Sequence, residues 1–363
     1  MMKSLSSAKA AVSMCATMTA LSVACTSAPS ENEKPSTTQL SNGTPTTVAD
    51  DEVNPRLLRR FQPLPAKPEG NAALIDLGRW LYYEKRLSKK GDVSCNTCHA
   101  LDDYGVDHRR TSTGEDGAVG NRNSPTVYNA AGHFAQFWDG RAADLEEQAK
   151  GPILNPKEMA MPDGTAVVAK LTSFPEYRPR FANAFPQSSA PISYENVGKA
   201  IAAFERGLVT PGRWDEFLRG KKDALSIEER KGLKTFLNRG CMVCHTGPYL
   251  GGSMFERLGV VEPWPNQTDL GRASVTKSAS DRMMFKVPSL RNIGKTAPYF
   301  HDGSAATLEE AVRLMGRHQL GVELGSDEIG SIITWLESLT SPLPPASYIA
   351  DPSKRKASPA LSK

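Results

Sequence analysis

Apolar residues recur along this chain at steps of three and four, the signature of helices with one buried face. Tyr194, Val197, Ile201, Phe204 and Leu208 follow that spacing, as do Ile329, Ile332, Ile333, Leu336 and Leu339. Leu74, Leu77, Trp80 and Leu81 predict a further helix. Ser226 with Glu229 makes a capping box ahead of Leu233, Phe236 and Leu237, and Thr307 with Glu310 makes another ahead of Val312 and Met315. No run alternates convincingly with period two, so strands are expected only as short hairpins in loops. The expected fold class is mostly α with long connections. Loops of that length in a compact chain need something else to organise them.

The order of elements repeats loosely: a helix, a Cys-x-x-Cys-His sequence, then a long loop, twice. Thr210-Pro211-Gly212 breaks the pattern between the copies. The expected division is residues 54–210 and 211–347, with a flexible Ser-, Thr- and Pro-rich linker over 25–53 and a disordered tail over 348–363. A C-terminal segment can return to the first half, so this linear division is approximate.

The beginning of the chain reads as an export signal over residues 1–24. Lys3 and Lys9 precede the uncharged stretch from Ala10 to Ala24, which ends in small residues. Ser22-Val23-Ala24-Cys25 also resembles a relaxed lipobox, in which Cys25 is lipidated; an ordinary secretory cut nearby is the alternative. Both readings put the protein outside the cytoplasm, in the periplasm, with a lipid anchor in the first case. The formal net charge of +4 includes Lys3 and Lys9, so the processed chain is near +2. Nothing in that balance points to nucleic acid.

Two of the six cysteines, Cys15 and Cys25, lie in the signal region. The other four form Cys95-Asn96-Thr97-Cys98-His99 and Cys241-Met242-Val243-Cys244-His245. This spacing attaches c-type haem: both thiols join the porphyrin, and the adjacent His lies under the iron. A zinc site or a redox dithiol is the competing reading of one motif. Two such motifs in an exported chain with no spare cysteine favour two covalent haems, ligated by His99 and His245. The sixth ligand decides between electron transfer and catalysis. From spacing alone Met315 and other methionines compete for it, as do His108, His133, His301 and His318.

The segments Arg122–Asn129, Gln136–Arg141, Glu147–Pro152, Val287–Asn292 and Thr296–Gly303 resemble the bacterial diheme cytochrome c peroxidases, in matching order from about Gly78 to Leu339. The resemblance implies two cytochrome c-like domains. It makes the haem on Cys95 and Cys98 peroxidatic and the one on Cys241 and Cys244 the electron-entry haem, with Met315 as its axial ligand. Glu158 matches the catalytic acid/base, Gln148 the distal amide and Trp138 the aromatic between the haems. Asn123, Thr296 and Pro298 match positions that hold an interhaem calcium ion, which suits oxygen ligands. The implied partners are hydrogen peroxide, a monohaem cytochrome c or small copper protein as donor, and a second copy of the chain in a homodimer.

One position departs from that pattern. Many members carry a His in the loop after the first haem motif that caps the peroxidatic iron at rest. Here Glu115 stands at that position, with His108 in the same loop and able to reach. The expectation is a first haem already open, or weakly capped by water or a carboxylate, and active without prior reduction. A vacant distal position is also shared with a related protein-modifying diheme oxidase, although that enzyme has Tyr where this chain has Met315. A diheme electron carrier without enzymatic activity is the remaining alternative, and it has no need of Glu158 or Gln148.

Overall fold

A computed structural model describes residues 52–354. The signal segment, Cys25 and most of the linker lie outside the described residues. The helices of six residues or more are Ala72–Tyr83 (α1), Leu145–Leu154 (α2), Gly164–Thr172 (α3), Tyr177–Ala184 (α4), Tyr194–Glu205 (α5), Arg213–Leu218 (α6), Ile227–Asn238 (α7), Leu308–Met315 (α8) and Ser326–Ser338 (α9). Two three-residue strands, Phe255–Arg257 (β1) and Met284–Lys286 (β2), pair antiparallel with Glu256 opposite Phe285. The mostly α class is therefore the one found, with a single small ribbon in the loops.

The helix starts follow from local chemistry. Asn71 Oδ1 accepts the amide hydrogens of Ala73 and Leu74 at the head of α1. At α7 Ser226 Oγ accepts from Glu229 N (3.1 Å), while Glu229 Oε2 accepts from Ser226 N (2.7 Å), a reciprocal box. Thr307 caps α8 through Glu310 N, but the Glu310 carboxylate reaches back to Ala306 N instead of Thr307 N. On α1, Leu77 and Leu81 are buried, whereas Trp80 sits at the edge of the face with the Arg180 guanidinium over its ring (3.9 Å).

Each half is built on one close helix crossing. In the first, α1 packs on α5; in the second, α7 packs on α9. Glycine makes both crossings. A Cβ on Gly78 would stand 1.8 Å from Ala200 O, and one on Gly232 would stand 2.0 Å from Ser331 O. The first core gathers Leu77, Leu81, Val197, Ile201 and Phe204; the second gathers Leu233, Phe236, Ile332, Trp335 and Leu336. Each such side chain contributes roughly 1.5–3 kcal/mol on burial.

The ends of the described chain cross over. Val53 and Phe61 pack in the second core, and Arg60 O accepts from Gly247 N and Thr246 Oγ1. Ile349 is buried in the first core, Tyr348 stacks on Phe204, and Tyr348 OH donates to Phe204 O (2.8 Å). The disordered tail expected over 348–363 is corrected for residues 348–354; residues 355–363 lie outside the described residues. Residues 348–354 are ordered because an aromatic ring and an isoleucine find buried partners on α1 and α5.

Candidate functional site

Both Cys-x-x-Cys-His sequences form a single helical turn with the His just beyond it. His99 Nδ1 faces Gly105 O at 3.3 Å, and His245 Nδ1 faces Leu250 O at 3.1 Å. A carbonyl can only accept, so each Nδ1 carries the hydrogen and each Nε2 keeps its lone pair free for a metal. Pro125 O and Pro288 O also lie against the two rings, and burial holds both imidazoles below their usual range. The four thiols are free and half-buried, and burial pushes Cys98 and Cys241 up to about 11. Among the described residues no group of three or more His, Cys, Asp or Glu could hold a metal ion. The donor set therefore fits two c-type haems: two thiols and one imidazole with a free Nε2 in each half.

The loops beyond these motifs repeat with a constant offset of 163 residues (125 to 288, for instance). Asn123, Pro125, Asn129, Phe137, Trp138, Asp139 and Gly140 correspond in this way to Lys286, Pro288, Asn292, Phe300, His301, Asp302 and Gly303. The hydrogen bonds repeat as well. Asn123 N donates to His301 O (2.8 Å), and Lys286 N donates to Trp138 O (2.7 Å). Phe137 and Phe300 both take a positive φ, 66° and 70°. Each half thus lends its aromatic loop to the haem loop of the other.

Trp138 stands at this junction. Its Nε1 donates to Asn123 O (2.9 Å), and its ring packs with Trp264, Met283 and Phe285. Asn123 Nδ2 donates to Arg109 O (3.0 Å), which turns its side-chain oxygen the other way. Thr296 and Pro298 lie in the turn leading to Tyr299, with a cis bond before Pro298. Lys286, which sequence reasoning missed, is buried with Nζ on Ala135 O (2.9 Å) and His133 Nδ1 (3.2 Å); burial pushes its ammonium down to about 8. The constant offset was the available signal for it.

The residues expected on the other face of the first haem lie on α2 and the turn after it. Gln148 and Pro152 are one helical turn apart on α2, and both are half-buried. Met159 N donates to Pro152 O (3.1 Å), closing a turn that carries Glu158. Burial raises the Glu158 carboxyl above the usual range, against Arg141 and the Asn155 amide, which donates to Glu158 Oε1 (2.6 Å). Met315 ends α8, and Pro152 is its counterpart at the same offset of 163.

The loop carrying Glu115 is fastened beside Glu158. Glu115 N donates to Glu158 O (2.8 Å), Glu115 Oε1 accepts from Lys90 N (2.9 Å), and Asp116 pairs with Lys89 and Lys90. A Cβ on Gly114 would lie 2.5 Å from Glu158 O, so only glycine allows this approach. His108 does not reach into the site as expected. Its Nδ1 donates to Ala297 O (2.9 Å) and its Nε2 pairs with Asp103 (3.1 Å), which commits both nitrogens elsewhere. His318 Nδ1 donates to Glu262 O (3.0 Å).

Two thiol-imidazole motifs, one per half, with crossed aromatic loops define a di-haem c-type cytochrome. A family model described as di-haem cytochrome c peroxidase matches residues 72–223. The chain is 47% identical over 288 residues to cytochrome c551 peroxidase of Nitrosomonas europaea, covering 78% of this chain and 85% of that one. It is 43% identical over 291 residues to cytochrome c551 peroxidase of Pseudomonas aeruginosa, covering 78% and 83%. The methylamine utilization protein MauG of Methylophilus methylotrophus is 32% identical over 279 residues, covering 72% and 81%. Among solved structures, a MauG-like protein associated with microbial copper homeostasis superposes with a TM-score of 0.70 at 29% identity, over 81% of this chain and 97% of that one. This chain belongs to the di-haem cytochrome c peroxidase family and is a peroxidase with two c-type haems. No helix among the described residues is long and apolar enough to cross a membrane.

Proposed function

We propose that this exported chain reduces hydrogen peroxide to water at the haem on His99, with electrons that enter at the haem on His245. The observation that supports this most directly is the difference at equivalent positions of the two halves. Met315 offers a thioether to close the second haem; Pro152 offers the first no ligand atom. Haem, when bound, supplies the redox chemistry.

The surrounding residues handle protons and position. Glu158, with its carboxyl raised by burial, takes a proton from one peroxide oxygen and returns it to the departing one. Gln148, one turn before Pro152, orients the peroxide by hydrogen bonding. Two electrons and two protons then complete two waters. Trp138 connects the halves through Asn123 and Lys286. Val243, exposed at 61% between Cys241 and Cys244, marks the open edge where a monohaem cytochrome c or small copper protein delivers electrons. A calcium ion on Asn123, Thr296 and Pro298, lipidation at Cys25 and a homodimer belong to the same proposal and rest on the family resemblance.

The fastened Glu115 loop supports a first haem open at rest. Its Oε1 is held by the Lys90 amide and its backbone by Glu158, which fastens the loop at two points. The greater identity to peroxidases (43–47%) than to the methylamine utilization proteins (32–36%) favours peroxide turnover over protein modification. Pro152→Met tests the reading. Closing the first haem with a thioether should make it low-spin and abolish peroxide-dependent oxidation of reduced cytochrome c. Undiminished turnover with a low-spin first haem would overturn the proposal.

A further inference from the structure

We propose that His301 is a second bridge between the haem sites, the counterpart of Trp138, and that its ring donates a hydrogen bond to a propionate carboxylate of the first haem. This rests on the diheme reading above and adds a cofactor-binding residue to it.

His301 is 2% exposed, yet neither ring nitrogen has a partner in the chain. A buried donor left unpaired costs about 1–3 kcal/mol, so such a group points to a partner supplied from outside the chain. The neighbouring acids do not supply it. Asp269 is held by Arg122 through two bonds (2.6 and 2.8 Å) and by Gly271 N (2.8 Å), and Asp302 Oδ1 accepts from Ser304 N (3.1 Å). The ring is also fixed in plane. It stacks on Phe285 with centroids 4.2 Å apart and 25° between planes, so its nitrogens face sideways from the stack.

The backbone places that ring at the first haem. His301 O accepts from Asn123 N, and Asn123 is two residues before Pro125, whose carbonyl lies against the His99 ring. Arg110 Nε donates to Asp302 O (3.1 Å), and a Cβ on Gly303 would lie 2.5 Å from Arg110 O, so the whole turn is docked on the first haem's loop. Trp138 makes the mirrored approach to Lys286 and Pro288 from the other half. Trp138 spends its ring N–H on Asn123 O. His301, at the equivalent position, has an unspent N–H for an acceptor, and the carboxylates carried by a bound haem are the acceptors this pocket would receive.

The test uses the full-length holo-protein and two variants, His301→Phe and His301→Gln. Phe keeps the stack on Phe285 and removes the N–H; Gln keeps an N–H. Haem content is read first, then the midpoint potential of each haem by spectroelectrochemical titration, and the propionate bending bands by resonance Raman. Removing a donor from a propionate leaves its negative charge less compensated and favours the ferric state. His301→Phe should therefore raise the oxidised-to-reduced ratio of the first haem roughly three- to tenfold at fixed potential, where tenfold is about 59 mV for one electron. Its propionate bands should shift, the second haem should be unchanged, and Gln should recover at least half of the effect. Should His301→Phe fail to mature, His301→Leu carries the same expectation. Two haems with unmoved first-haem potential and bands, or equal shifts in Phe and Gln, overturn the proposal. Fewer than two haems in the parent protein would overturn the diheme reading itself, and the haem assay separates that outcome from the others.

Discussion

Asn129 and Asn292 donate their side-chain amides to one shared oxygen, Thr210 Oγ1, at 2.8 and 2.9 Å. All three residues are buried. The two asparagines take left-handed backbone, with φ of 62° and 60°, and their own amides donate to Leu208 O and Leu339 O respectively. Their Oδ1 atoms accept from Thr210 N and Ser341 N, both at 3.0 Å. Thr210 therefore sits where the two halves of the repeat meet, and it holds the start of both aromatic loops.

Thr210→Val should strand two buried amides at almost constant volume. The expected cost is about 2–4 kcal/mol, from roughly 1–3 kcal/mol for each unsatisfied donor with partial relaxation. Thr210→Ser keeps the oxygen and should cost about 1 kcal/mol or less. Denaturant unfolding of the holo-protein, followed by far-ultraviolet circular dichroism, measures both. Equal stability of the Val and Ser variants would remove Thr210 from this role.

Arg291 and Asp215 form a buried pair through two bonds of 2.8 and 2.9 Å, and Asp215 also accepts from Leu64 N and Gly212 N. Arg291 Nε donates to Pro248 O, in the loop that supports His245. Asp215→Ala leaves an uncompensated buried charge and should cost about 3–5 kcal/mol. Burial pushes the Asp215 carboxyl up, but Arg291 and the two amides outweigh it and hold it below the usual range. Its contribution is thus present above the ordinary aspartate value and is lost as pH falls through the lower folded value. Acid unfolding of the parent should show this loss, and Asp215→Ala should flatten it.

Glu158→Gln removes the proton carrier without changing shape. Peroxide turnover should fall by about 10²- to 10⁴-fold while both haems keep their absorption spectra. Because burial raises the Glu158 carboxyl, the acidic limb of the parent's rate profile should lie above the pH of an ordinary glutamate. The base form is needed, so the rate falls as pH drops through that value. Near-normal turnover in the Gln variant would exclude Glu158.

Fully oxidised protein mixed with peroxide should react at once, without prior reduction of the second haem. Stopped-flow absorption of the first haem reads this directly. Glu115 Oε1 accepts from Lys90 N and Glu115 N donates to Glu158 O, so the loop that carries a His in many relatives is fastened here by other contacts. A six-coordinate, unreactive resting haem would count against that reading.

Local sequence determined a good deal here. The cysteine spacing marked both haem attachments, and the three-and-four periodicity marked α1, α5, α7 and α9, because these features depend only on neighbours along the chain. The offset of 163 was also present in the letters, but its meaning was not. Only the tertiary structure pairs Trp138 with Lys286 and Asn123 with His301, seats Phe61 in the second core and Ile349 in the first, and ties up both nitrogens of His108. Those outcomes hang on hydrogen bonds and packing between residues far apart in sequence. Periodicity carries no record of such contacts, so a polar side chain's partner is decided when the chain closes on itself.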